Sequence, residues 1–265
     1  MTAQTGFKEG QVEAQGLSVR YLEAGQGETI VALDSLTWGM PKLYHALAQD
    51  YRVVVLEAPT LGGDGPPKPA KGLAEVMAQA AASLVTGAYT LIGTSAGANV
   101  ALWQAVQDAG NGDGTGIEAL ILVSPTAIRP TGGPPAAAGA RAAEMLLAHP
   151  ENTSVLPQAD QAVTAAENAL IQALKAAPHD AEVESRLGEI QCATLAVFGV
   201  EDKMVSPEAP RVYRASIPNC NISLVYDAGH LIEADRPESL ISVVSDFVER
   251  RETFIVGRRS TVVNP

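Results

Sequence analysis

The chain has 265 residues, 46% of them apolar, which suits a sizeable core in one large α/β domain or two small ones. Thirty acidic side chains against 18 basic ones give a net charge of −12, so the basic face that nucleic acid or an anionic membrane requires is missing. No apolar run approaches the ~20 residues of a membrane span. Residues 1–9 lack the charged-then-apolar pattern of a signal peptide, so a cytoplasmic protein is expected.

Taken in order, residues 12–23 alternate around Gly16 and predict an antiparallel hairpin. Residues 29–33 fit a buried strand, followed by a loop at 34–40. Residues 41–49 suit a short helix with Pro41 at its start. Residues 51–56 form another apolar strand, and 59–71 are too rich in Gly and Pro to be anything but loop. An Ala-rich helix is expected over 73–85, a strand at 89–92 and a helix at 98–106. Further strands fall at 117–123, 193–198 and 222–226, and an amphipathic helix at 237–250. Strands alternating with helices imply a mostly parallel sheet covered on both faces. One stretch breaks the alternation. Residues 124–187 hold no convincing strand: a Gly/Pro linker at 130–135 leads into helical stretches near 138–148, 158–176 and 181–190. An insertion there would stand above the carboxyl ends of the strands, where ligands of open α/β sheets bind, and it is read as a helical lid.

Between the strand at 89–92 and the helix at 98–106 lies Gly93-Thr94-Ser95-Ala96-Gly97, a G-x-S-x-G in strand-to-helix context. Such a turn lifts its serine out of the backbone, and the close passage of strand and helix leaves no room for side chains at the two glycines. The amide of Ala96 lies at a helix start, where N–H groups are unpaired and favour negative charge. A nucleophilic serine needs a base and a group to orient the base. Of four histidines, His45 lies in an early helix and His149 and His179 in the lid, whereas His230 directly follows the last strand. The strand at 193–198 ends in a loop bearing Glu201 and Asp202; Asp202 is the candidate acid and Glu201 the reserve. Neither cysteine, Cys192 or Cys220, has metal-ligand spacing, and no metal site is expected.

With the elbow, Gly199-x-x-Asp202 and Gly229-His230-x-x-x-x-Asp235-x-Pro237 in this order, the chain resembles the α/β-hydrolase fold family over nearly its whole length. The resemblance implies an α/β fold with a mostly parallel eight-stranded sheet, helices on both faces and a helical lid. It divides the chain into a core domain, 1–125 and 188–265, and a lid, 126–187. It implies hydrolysis of esters, amides or carbon–carbon bonds without a cofactor, with Ser95, Asp202 and His230 catalytic and the amides of Ala96 and Leu36 forming the oxyanion hole. The pocket would be lined by Leu36, Trp38, Thr94, Leu231 and the lid, for a small, uncharged, partly apolar substrate, with Arg129 at the lid hinge available to a carboxylate. Nothing specifies an oligomeric state.

The chain departs from the family where Asp34-Ser35 stands in place of His-Gly. A carboxylate beside a developing oxyanion opposes catalysis unless it is turned away or hydrogen-bonded, and Asp34 is expected to cap its own loop. Three readings stay open: a carboxylesterase-like serine hydrolase, a lyase or carbon–carbon hydrolase on the same triad, and a weakly catalytic ligand-binding protein. The family's pairing of the last two strands also puts Cys192 and Cys220, each ten residues before its triad member, ~5 Å apart if the strands are in register. That is close enough to bridge under oxidation; the other reading, two unrelated free thiols, is the one expected of a cytoplasmic protein.

Overall fold

The computed structural model describes residues 6–34, 36, 39–57, 69–109, 116–128, 130, 142–151 and 179–254. Trp38, Arg129, the Gly/Pro-rich stretch 59–68, most of the 130–135 linker and the helix expected at 158–176 lie outside these residues.

The sheet has eight strands: β1 (Lys8–Ala14), β2 (Leu17–Ala24), β3 (Thr29–Asp34), β4 (Arg52–Glu57), β5 (Ala88–Thr94), β6 (Gly116–Val123), β7 (Ala193–Gly199) and β8 (Cys220–Val225). Their spatial order is β1-β2-β4-β3-β5-β6-β7-β8. Strands β1 and β2 are antiparallel, joined by a tight turn at Gln15-Gly16 whose positive φ values of 48° and 74° match the twist of a hairpin. β2 also runs antiparallel to β4, and from β4 onward every pairing is parallel. The central strands read as unbroken apolar runs because both their faces are buried. Val31, Leu33, Val54, Leu56 and Leu91 point into one core layer; Ile30, Ala32, Val53, Val55 and Ile92 point into the other.

Helices α2 (Ala70–Leu84) and α3 (Ala96–Asp108) cover the first layer. Trp103 of α3 is fully buried there, and its indole N–H donates to Asp180 Oδ2 at 2.8 Å. Helix α1 (Lys42–Leu47) covers the opposite face. Among the described residues of 126–187, the helices are α4 (Ala142–Leu146) and α5 (Ala181–Arg186), the latter capped by Asp180 accepting from the amide of Val183 at 3.0 Å. Two helices not anticipated from the sequence follow: α6 (Ala209–Ser216), and the single turn α7 (Ile232–Asp235) that leads into α8 (Pro237–Arg250). α7 is a single turn, too short for a readable apolar period, whereas α6 does carry one, with Ala209, Val212 and Tyr213 on the core side. No helix among the described residues is long and apolar enough to cross a membrane.

Strand order reverses at β3: the chain steps from β3 outward to β4, then crosses back to β5 on the other side. The carboxyl ends of β3 and β5 therefore flank a crevice at the switch point of the sheet, where open α/β sheets bind ligands. At the opposite edge of the sheet, the register overturns the proposed closeness of the two cysteines and leaves the free-thiol reading. Cys220 pairs with Thr194, so Cys192 sits two residues out of step. Two residues of rise at this strand spacing put the Cα atoms ~8 Å apart, beyond the reach of a disulfide. Both thiols are free, and burial pushes Cys192 up to about 11 and Cys220 up to about 12.

Candidate active site

The turn from β5 into α3 holds Ser95 at φ 52° and ψ −112°, a conformation that costs free energy for a residue with a side chain. The surrounding backbone enforces it. The Ser95 amide donates to the Val123 carbonyl at 2.8 Å, and the Ser95 carbonyl accepts from Ala98 at 3.1 Å. The glycines are required by contact. A Cβ on Gly97 would sit 2.0 Å from the Leu33 carbonyl oxygen, and one on Gly93 would meet the Gly97 oxygen at 2.6 Å. Ala96 is the first residue of α3, so its amide is one of the helix's unpaired donors. Leu36 lies in the loop after β3, on the other side of the crevice, partly packed on the lower core layer.

Across from the elbow, β7 and β8 deliver the other two groups. Ser95 Oγ lies 2.8 Å from His230 Nε2, and His230 Nδ1 lies 2.9 Å from Asp202 Oδ2. The histidine and aspartate side chains are 2% and 3% exposed. The second oxygen of Asp202 accepts from the amides of Met204 at 2.6 Å and Val205 at 3.1 Å, which fixes the carboxylate edge presented to the imidazole. Glu201 does other work. Its amide donates to the Ala228 carbonyl at 3.0 Å and its carboxylate accepts from the Ala228 amide at 2.9 Å, stitching the aspartate loop to the histidine loop. Gly199 permits this, since a Cβ there would lie 2.1 Å from the Gly229 carbonyl oxygen. From the sheet side, buried Ser124 (φ 48°) donates its hydroxyl to the His230 carbonyl at 2.8 Å. Leu231 joins Met145, Leu146, Leu147 and Met204 in an apolar cluster beside the aspartate and histidine loops.

At the carboxyl ends of β3 and β5, Asp34 and Thr94 both engage one phenol of the scaffold. Asp34 Oδ2 accepts from the hydroxyl of Tyr44 on α1 at 2.7 Å, and Thr94 hydrogen-bonds the same phenol. The hydroxyl of Thr94, expected to line the pocket, thus engages a phenol of the scaffold. Burial, and then the charge of Asp34, hold the Tyr44 phenol well above its ordinary range, so it stays a donor. Glu233 stands nearby: its Oε1 accepts from the Lys42 amide at 2.7 Å, while its Oε2 is buried without a hydrogen-bond partner among the described residues. Burial first, and the charge of Asp34 as well, push its carboxyl up to about 7. Tyr44, Ser124 and Glu233 were invisible as site residues in the sequence, because each acts through a contact between separate elements that no local pattern records. Asp235 carried a signal, its fixed place in Gly229-His230-x-x-x-x-Asp235-x-Pro237.

No curated protein sequence matches the chain. Among solved structures it is similar to a membrane phospholipase A described as a bacterial virulence factor, with 20% identity, TM-score 0.69, and 92% of this chain and 86% of the other covered. A thermophilic esterase from Thermogutta terrifontis is 20% identical, with TM-score 0.69, and 91% and 98% covered. A meta-cleavage product hydrolase from Pseudomonas fluorescens IP01 is 14% identical, with TM-score 0.69, and 93% and 98% covered. At these identities the likeness is one of fold. The model of the alpha/beta hydrolase family matches residues 25–243, and the chain belongs to that family.

Proposed function

We propose that the protein is a serine hydrolase that cleaves small, partly apolar carboxylic esters through an acyl-enzyme. The observation that carries the reading is the continuous relay from Ser95 Oγ through His230 to Asp202, at 2.8 Å and 2.9 Å. In this geometry His230 Nε2 takes the Ser95 proton as Oγ attacks the ester carbonyl, forming a tetrahedral oxyanion. Asp202 holds the tautomer and stabilises the imidazolium without itself being protonated. The oxyanion is received by the amides of Ala96 and Leu36. The imidazolium then protonates the leaving alcohol. A water, deprotonated by the same imidazole, attacks the acyl-enzyme and releases the acid and Ser95. The anchoring of Asp34 by Tyr44 supports this reading against a ligand-binding one, because the carboxylate is engaged by a donor rather than left to oppose the oxyanion. We read residues 126–187 as the cap; of the described ones, Met145, Leu146 and Leu147 pack with Leu231 beside the site, and this apolar wall favours an uncharged acyl or alcohol group.

The test is labelling by a fluorophosphonate probe, followed by a series of p-nitrophenyl esters of increasing chain length. Wild type is expected to label at one site that Ser95→Ala removes, and to prefer short or medium acyl chains. A wild-type protein that folds but neither labels nor turns over any ester would overturn the reading.

A further inference from the structure

Three consecutive backbone positions around the imidazole are fixed, but not by the same part of the molecule. Ser124 at the end of β6 holds the His230 carbonyl at 2.8 Å. The flanking residues are held from the other side, by residues 146–149 and by Asp235. The Leu231 amide donates to the Leu146 carbonyl at 2.9 Å. The Gly229 amide donates to Asp235 Oδ2 at 2.9 Å, and that same oxygen accepts from the Ala148 amide at 2.9 Å. The other oxygen of Asp235 accepts from the His149 amide at 3.2 Å. One carboxylate thus gathers three backbone amides, one from the histidine loop and two from the segment after α4. Hydrogen bonds to an ionised acceptor are stronger than neutral ones. The two backbones touch: a Cβ on Gly229 would lie 2.7 Å from the Ala148 nitrogen and 2.8 Å from the Leu146 carbonyl oxygen. A second tie runs outside the first, from His149 Nε2 to Asp227 Oδ1 at 2.6 Å, with Arg236 on the other oxygen of Asp227 at 3.1 Å.

We propose that Asp235 is a positioning residue for His230: by fastening residues 148 and 149 onto Gly229 it holds the imidazole from the cap side and keeps the apolar roof of Met145, Leu146 and Leu147 closed beside the Asp202–His230 pair. The proposal rests on the reading of His230 as the general base. Asp235 touches neither substrate nor the reacting atoms; it acts through the backbone of the histidine. Its consequence is that residues 144–149 are a fixed part of the active centre rather than a freely swinging lid. The Lys203 ammonium, donating to the Glu144 carbonyl at 2.8 Å, secures the same segment to the aspartate loop.

The experiment is the rate constant of fluorophosphonate labelling at Ser95, measured against pH in the full-length protein at a temperature well below melting. Asp235→Asn keeps the size of the side chain but sets an NH2 group against backbone donors. It is expected to slow labelling ~100-fold, the scale set by a displacement of about 1 Å at a reacting centre. The acid limb of the profile, which reports the imidazole, is expected to move. Asp235→Glu, which keeps the charge, is expected to recover part of both effects. Where Asp235→Asn does not fold, Ala148→Pro removes one cap-side donor and leaves the histidine loop unchanged; the same slowing and shift are expected. A variant that melts lower yet labels at the wild-type rate with an unmoved acid limb would reduce Asp235 to scaffold and overturn the proposal. Failure of the underlying reading has a different signature: the wild type itself does not label, or His230→Ala labels as fast as wild type.

Discussion

The serine half of the site and the histidine half are held in place by different means. Ser95 is fixed mainly within one turn, by Gly93 and Gly97 on either side and the helix that begins at Ala96, with one bond from its amide to the Val123 carbonyl. His230 is fixed by residues far away in the chain, Ser124, Glu201, Asp202 and the 146–149 segment. The geometry of Ser95 is therefore largely a property of one turn, and it survives as long as that turn fits against β3 and β6. The geometry of His230 is the sum of several tertiary contacts, each worth little alone. Damage to the first half should appear as a loss of folding, and damage to the second as a loss of rate in a protein that still folds.

The largest effect tests whether the two halves work as one unit. Ser95→Ala and His230→Ala are each expected to remove most of the ester turnover, by a factor on the order of 10⁴–10⁶, and the double variant to lose little more. Strictly additive losses would show that the relay is not one machine. The next effect separates the two kinds of support. Gly97→Ala puts a Cβ 2.0 Å from the Leu33 carbonyl oxygen, and urea titration is expected to show a loss of about 3 kcal/mol or more, the upper range for overpacking. Glu201→Ala, on the histidine side, leaves the Ala228 amide without its carboxylate partner; about 1–3 kcal/mol is expected, with a clear fall in labelling rate. Equal stability losses with equal rate losses would erase the distinction between the halves.

The smallest effect is one of pH. The Glu233 carboxyl is raised by burial and by Asp34, so its charged form is disfavoured in the folded chain. The penalty is absent below its unfolded value of roughly 4.5, grows as pH rises, and is complete above the folded value of about 7. Glu233→Gln, which still accepts from the Lys42 amide, is therefore expected to raise the melting temperature at about pH 8 and leave it nearly unchanged at about pH 4. A larger gain at the acid end would reverse the assignment.

The elbow turn, the strand sequence and the meeting of Ser95, Asp202 and His230 were legible because each is written locally. A strand buried on both faces shows as a run such as residues 52–56, and a strained turn shows as glycines at fixed spacing. Choosing Asp202 over Glu201 also followed from a local turn, and the geometry brings Asp202, not Glu201, to the imidazole. What was not legible depends on contacts between separate elements. Tyr44 faces Asp34 only because α1 folds back beneath the end of β3, and no pattern along the chain records that. The cysteine pairing failed for the same reason. Equal spacing to the site residues fixed where each cysteine lies on its strand but not the register between strands, which pairs Thr194 with Cys220.

Those two cysteines supply a built-in clock of unfolding. Only the thiolate reacts with alkylating reagents, and at neutral pH groups held near 11 and 12 present it in fractions on the order of 10⁻⁴ and 10⁻⁵. On exposure both return toward an ordinary thiol, so alkylation rates follow the population of opened chain rather than the chemistry of the reagent. The thiols sit at the amino ends of β7 and β8, at the opposite end of these strands from Asp202 and His230. If both are modified together, this half of the sheet opens as one cooperative block. If half-buried Cys192 reacts ahead of Cys220, the connection into β7 frays first, at the far end of the strand that carries the acid.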